Sequence, residues 1–116
     1  MILSAKKILE LNARYNLIEG LAERELKNPE GVGIDIRVGE VFELKGAGFL
    51  GVEDRSSPDA ESIASISNGD KEVVIKPGKY VLVKTIEKIT APGEKVEVES
   101  GREAYLMPHV YPRSTL

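Results

Sequence analysis

The chain has 116 residues, of which 41% are hydrophobic and 30% charged, and a formal net charge of −3; this is the profile of one soluble domain with a modest core. The acidic balance argues against a general nucleic-acid or anionic-membrane binder, which needs a basic face, and leaves room only for a local anion pocket. With no cysteine in the sequence, disulfides, thiolate metal sites and cysteine nucleophiles are all excluded.

Met1-Ile-Leu opens the chain, but Lys6, Lys7 and Glu10 interrupt it before a signal peptide's apolar region forms. No stretch reaches the length of a transmembrane helix, and the expected location is cytoplasmic. Ser4 is a helix N-cap, and Ala5, Ile8, Leu9 and Leu11 make the following residues, through Arg14, a short amphipathic helix. A second short helix is expected from about Leu21, within residues 17–27. Asn28-Pro29-Glu30-Gly31 then forms a turn, with proline suited to its second position and glycine to its fourth.

In the next stretch Val32, Ile34, Ile36 and Val38 alternate with Gly33, Asp35, Arg37 and Gly39. The period of two predicts a half-buried β-strand over 31–39. Its β-branched face calls for a core. The opposite face sets a carboxylate beside a guanidinium, flanked by glycines that let another group approach. An exposed Asp–Arg pair beside turn glycines is also an ordinary surface feature that contributes little. Phe42 and Leu44 continue the phase, which predicts a further strand after a bend or bulge at Gly39-Glu40.

Gly46-Ala-Gly-Phe-Leu-Gly51 spells G-x-G-x-x-G. A dinucleotide fingerprint needs a helix opening directly from the glycines inside a βαβ unit. Here Val52-Glu-Asp-Arg-Ser-Ser-Pro58 follows, so the glycines read as a turn between strands. Residues 53–71 are rich in Ser, Asp and Glu; they allow either one helical turn at Ser57-Pro58 or a short strand over 62–67. Asn68-Gly69 is a tight-turn signal.

The second half is β-rich. Residues 72–76 read as a strand, Lys76-Pro77-Gly78-Lys79 as a type II turn, and residues 80–89 as the longest strand. Tyr80-Val-Leu-Val83 is apolar on both faces, which predicts a central position. Ala91-Pro92-Gly93-Glu94 turns again, Val96 and Val98 alternate with Glu97 and Glu99, and residues 103–111 run extended after Ser100-Gly101. Short strands separated by Pro/Gly turns predict an all-β barrel or sandwich with a small N-terminal helical cap.

Chemistry-bearing residues are sparse. The one histidine, His109, reads as structural. Glu97 and Glu99 share a strand face and could form a carboxylate pair, although a solvated edge explains them as well. No His/Asp/Glu cluster has metal-ligand spacing. Tyr111-Pro-Arg-Ser-Thr-Leu116 offers the parts of a phosphate-binding turn: a planar fork of donors on Arg113 and short hydroxyl donors on Ser114 and Thr115. A capped C-terminal turn would use the same residues.

Taken together, Gly33-Ile34-Asp35-Ile36 and Pro112-Arg113-Ser114-Thr115-Leu116 resemble the first two motifs of the dUTPase and dCTP deaminase superfamily, Gly-x-Asp-Leu and Pro-Arg-Ser-x-Leu or Gly-Arg-Ser-Ser-Leu. The opening Met-Ile-Leu-Ser and its helix look like the deaminase branch, as does Asp35-Ile-Arg-Val-Gly39. So does Lys76-Pro77-Gly78-Lys79-Tyr80-Val81-Leu82 with Thr85 and Glu87. The Pro before Arg113 is dUTPase-like. The resemblance covers nearly the whole chain.

The resemblance implies a β-clip, jelly-roll-like distorted barrel with a short N-terminal helix, assembled as a homotrimer with sites shared between subunits. Arg113 and Ser114 would bind the triphosphate, with Thr115 nearby. Asp35, with Arg37, would organise the site at the Mg2+-phosphate end without directly ligating the metal. The substrate would be dUTP or dCTP. dUTP hydrolysis to dUMP and pyrophosphate is favoured, with dCTP deamination or a bifunctional enzyme as the alternative. Both reactions draw their general base from strands after the Arg-Ser motif, so that base is expected beyond Leu116. On this reading residues 1–116 are one domain, the N-terminal portion of a longer one. A non-catalytic β-domain, a degenerate relative or subunit-contact module, is the competing class.

Overall fold

The computed structural model describes residues 1–112. Helix α1 (Ala5–Tyr15) leads to a two-residue strand β1 (Ile18–Glu19) and a short helix α2 (Glu23–Lys27). Strands β2 (Val38–Lys45), β3 (Phe49–Leu50), β4 (Arg55–Ser56) and β5 (Asp59–Ser65) follow, and a 3-10 turn (Ile66–Asn68) closes β5. Strands β6 (Val81–Thr85), β7 (Lys88–Ile89), β8 (Val96–Glu99) and β9 (Arg102–Ala104) come after it. The fold is mainly β with an N-terminal helix. Its described strands form four small antiparallel sheets that do not close into a barrel. The chain divides into two compact units: Met1–Ile36 with the segment from Glu87 onward, and Arg37–Ile86.

In the first unit, α1 begins where the sequence places it. Ser4 is in the extended region and its side chain accepts a hydrogen bond from the Lys7 amide at 3.2 Å, satisfying one of the free donors of the first turn. The helix ends at Asn16, whose left-handed backbone (φ 52°) lets its amide donate to the Asn12 carbonyl. The side chain of the same Asn12 accepts from the Ile18 amide at 2.7 Å, so one residue fixes both the helix end and the entry to β1.

Leu11 from α1 meets Leu17, Val96 and Val98 in the core of this unit, with Leu3, Tyr15, Ile18, Ala104 and Leu106 packed around it. β8 buries Val96 and Val98 and exposes Glu97 and Glu99, the alternation its sequence predicts. It pairs with β9 as a hairpin around Gly101. β1 pairs with β7, Ile18 opposite Ile89, and the Thr90 amide donates to the Leu17 carbonyl. The extended run expected over 103–111 has ladder pairing only as far as Ala104 among the described residues.

In the second unit β2 is the middle strand of a sheet ordered β5-β2-β6, all antiparallel. The bulge expected near Gly39-Glu40 is present: the register against β6 shifts between Val38 and Glu40. A Cβ on Gly39 would lie 3.1 Å from the Ile86 amide nitrogen, so the close approach of the chain there suits glycine. Lys76 to Lys79 forms the expected turn, with Gly78 at φ 79° and the Lys79 amide donating to the Lys76 carbonyl. That positive φ is the one a type II turn requires. The Gly46–Gly51 stretch belongs to a β3–β4 hairpin, Phe49 opposite Ser56, and opens no helix.

Several expectations are corrected. The strand predicted over 31–39 starts only at Val38; residues 31–33 turn, and 34–37 carry no ladder among the described residues. Val32 is 76% exposed, so the alternating face is not a continuous core face. Glycines at 31 and 33 remove the side chains that strand pairing would have stabilised. The ambiguous 53–71 region resolves into β4, β5 and the 3-10 turn, while residues 72–76 are unpaired among the described residues. The strand expected over 80–89 breaks at Thr85, and among the described residues β6 has one neighbour, β2, rather than two. The middle place is taken by β2, which buries Val41.

The core and cap make separable predictions. Leu11→Ala should lower stability by about 2–5 kcal/mol through lost burial and a residual cavity, and Ser4→Ala by about 0.5–2 kcal/mol through the lost cap. Urea unfolding of both variants reads the two values, and equal losses would contradict this assignment of core and cap.

Candidate functional site

The loop joining α2 to β2 carries Asp35, and its geometry follows from α2. That helix inverts the usual preference: Glu25 is 4% exposed while its neighbour Leu26 is 52% exposed. The buried carboxylate accepts a hydrogen bond from the Asp35 backbone amide, N to Oε2 3.2 Å. One residue earlier, Arg24 Nη2 lies 2.9 Å from Glu30 Oε1 on the exposed side. α2 therefore ties the loop at two points, one solvated and one buried. A buried carboxylate is tolerated only when hydrogen-bonded, and no buried side-chain oxygen or nitrogen among the described residues lacks a partner.

Asp35 is half-buried and Arg37 is exposed. The Arg37 carbonyl accepts from the Ile86 amide at 2.9 Å, which anchors it to the second unit, whereas Asp35 belongs to the first. The side-by-side strand face expected for this pair is thus not formed, because no strand runs through either residue. Arg113, Ser114 and Thr115 lie outside the described residues. Glu87, in the Thr85-x-Glu87 stretch, is 3% exposed and hydrogen-bonded or otherwise engaged.

The other candidates prove to be surface features. His109 is exposed and stacks on Tyr111 with ring centroids 6.1 Å apart, its Nδ1 3.4 Å from the tyrosine hydroxyl. Glu97 and Glu99 point to solvent, and Glu99 sits 3.8 Å from Arg102. Among the described residues no three His, Asp or Glu side chains gather to hold a metal ion, and no helix is long and apolar enough to cross a membrane.

The second unit holds a hollow of about 310 Å³ lined by Glu43, Ile63, Val74, Lys79 and Tyr80 among others. None of the residues singled out from the sequence as site residues lines it. Two of its lining residues, Glu43 and Lys79, belong to an ion cluster: Lys45 Nζ is 3.2 Å from Glu43 Oε2 and 3.7 Å from Glu61, and Lys79 Nζ is 3.7 Å from Glu43 Oε1. The hydrogen bond from Lys45, then its charge and that of Lys79, hold the Glu43 carboxyl below its ordinary range. The same pairing with Glu43, and the charge of Glu61, raise Lys45. All these groups are solvated, so the cluster contributes little to stability.

Glu25 was not visible in the sequence. Leu21-Ala-Glu-Arg-Glu-Leu-Lys reads as a helix that would bury its leucines and expose its acids, and no spacing marks one acid as internal. Its role follows only from the path of the loop ten residues on.

The ion cluster gives a pH prediction. A depressed carboxyl pKa means that whatever stability the Glu43–Lys45 pair supplies is present at neutral pH and disappears as pH falls through the folded-state pKa of Glu43. Lys45→Met should therefore move the Glu43 carboxyl titration, followed by NMR, to higher pH. Lys79→Met should move it less, and the reverse order would contradict the assigned contacts.

A family model described as "DCD: dCTP deaminase-like" matches residues 2–116. No match was found among curated proteins or among solved structures.

Proposed function

Because the chain belongs to the dCTP deaminase-like family, within the dUTPase and dCTP deaminase superfamily, we propose that it is a cytoplasmic enzyme acting on a pyrimidine deoxynucleoside triphosphate, and that it converts dUTP to dUMP and pyrophosphate. The observation that carries the reading is the family match together with the Asp35 loop, which the buried Glu25 holds in place. The family match also supports a second reading, deamination of dCTP.

In the hydrolytic reaction water adds at the α-phosphorus and the bond to the bridging oxygen breaks, releasing pyrophosphate. The charge to be managed lies on the triphosphate. On this reading the Arg113 guanidinium donates two parallel hydrogen bonds to phosphate oxygens, and the Ser114 and Thr115 hydroxyls donate further ones. Asp35 is placed at the same end of the substrate. A bare carboxylate beside a triphosphate would repel it, so Asp35 is useful there only with a cation between them. Mg2+ would come with the triphosphate, held largely by its oxygens and water, and would neutralise phosphate charge, and Asp35 would accept hydrogen bonds at that hydrated end.

The same reading includes a homotrimer whose contacts cover apolar surface. Leu82, Val83 and Tyr80 in the second unit are exposed, more than an isolated soluble surface ordinarily leaves clustered. Sedimentation equilibrium should give three times the chain mass; a concentration-independent monomer would overturn the trimer.

The test of function is a titration of dUTP, dCTP and inorganic triphosphate, with and without Mg2+, into the protein and two variants. Arg113→Ala should weaken dUTP binding by about 1.5–3 kcal/mol, the loss expected for charged hydrogen bonds, or roughly 10- to 140-fold. Asp35→Ala should reduce the gain in affinity that Mg2+ brings. Release of pyrophosphate from dUTP supports hydrolysis, and release of ammonia from dCTP supports the second reading. Equal binding by all three proteins would sink the triphosphate site and favour a non-catalytic β-domain.

A further inference from the structure

We propose that Glu25 is the positioning residue of the site: its carboxylate, inside the first unit, sets the direction in which Asp35 presents its own. The inference rests on the reading of Asp35 given above and adds a residue that the sequence motifs do not contain.

Gly31, at φ 75°, and Gly33 flank an exposed Val32, and nothing lies within 4 Å of where a Cβ on either glycine would be. Glycine carries the largest backbone entropy of any residue, so the run from 31 to 34 supplies little rigidity of its own. The exposed Arg24–Glu30 pair restrains only the near arm, and solvated pairs of this kind are weak. The far arm is held at the Asp35 amide by Glu25. Fixing that amide fixes the peptide plane before Asp35 and the place of its Cα, which leaves rotation about the N–Cα bond as the backbone freedom that aims the Asp35 side chain.

The acceptor is an ionisable carboxylate at a place where a backbone carbonyl or an amide side chain would also accept the bond. A charged acceptor makes a stronger hydrogen bond, and burial keeps water from competing for it. The helix gives up the burial of Leu26 at the neighbouring position, as a helix shaped around a polar tie would. Two properties of Glu25 can be separated by substitution. Glu25→Gln keeps an accepting oxygen at the same reach and removes the charge; Glu25→Ala removes both.

The experiment reads position and binding separately. Amide exchange at Asp35, followed by NMR without nucleotide, reports the tie itself. It should accelerate by about tenfold or more in Glu25→Ala, the loss expected for one charge-assisted hydrogen bond, and by less in Glu25→Gln, which keeps a neutral acceptor. Mg2+-dependent dUTP and dCTP affinities should fall in Glu25→Ala and recover in part in Glu25→Gln. Leu11→Ala serves as the control, because it lowers stability from the core of the same unit without touching the loop. An unchanged Asp35 exchange rate in Glu25→Ala would overturn the role of Glu25. So would a loss of affinity matched by Leu11→Ala, or one that Glu25→Gln does not restore even in part. A wild-type protein that binds neither nucleotide would overturn the reading of the site instead, and the exchange measurement keeps those two failures apart. If Glu25→Ala does not fold, Glu25→Gln together with Glu25→Asp, whose shorter reach draws the oxygen away from the amide, carries the same comparison.

Discussion

The first unit depends on a very small apolar contact. Leu11, Leu17, Val96 and Val98 are its buried cluster, and they join a helix near one end of the chain to a hairpin some eighty residues later. With no tryptophan and two phenylalanines in the sequence, this core is built from aliphatic side chains that each bury a modest area, about 1.5–3 kcal/mol when fully covered. Polar ties complete what so small a core leaves loose. Asn12 secures the turn from α1 into β1, the Thr90 amide reaches the Leu17 carbonyl, and Glu25 holds the Asp35 amide. Each is a hydrogen bond between segments that the apolar cluster alone would not register.

The placement of Glu25 and Leu26 shows how the two kinds of force divide the work. By transfer free energy alone, α2 would turn Leu26 inward and Glu25 outward. The observed order is the reverse. A partly buried amide left without an acceptor costs a share of its desolvation penalty, and the loop brings such an amide to α2. A five-residue helix cannot present both residues inward, because adjacent side chains lie about 100° apart around the axis. In this helix the polar partner takes the inward position.

Much of the local structure was legible from residue chemistry. Ser4 and the spacing of Leu11 marked α1, Pro77-Gly78 marked a turn, and Val96-x-Val98 marked a one-sided strand; each is a local rule whose outcome does not depend on distant contacts. The bulge beside Gly39 was legible for the same reason. Failures came where tertiary pairing decides. The alternation of 31–39 satisfied the strand pattern, yet the segment passes from one compact unit to the other, and its glycines leave little to pair. Tyr80-Val-Leu-Val83 was apolar on both faces and still formed part of an edge, because apolar runs report burial in general and not which partner supplies it.

The site was legible in a more limited sense. Asp35 was singled out from its motif, and the strand face expected to carry it beside Arg37 is not there. What holds Asp35 was invisible, because the constraint joins residues 25 and 35 across a turn whose path the sequence does not specify. Short motifs name the groups that meet a ligand; the groups that aim them are chosen by backbone geometry, and any residue able to accept a hydrogen bond at the right point can serve. A glycine-flanked loop gains rigidity from such a tether, and in this protein one tether is an acid that the helix around it would otherwise have left in water.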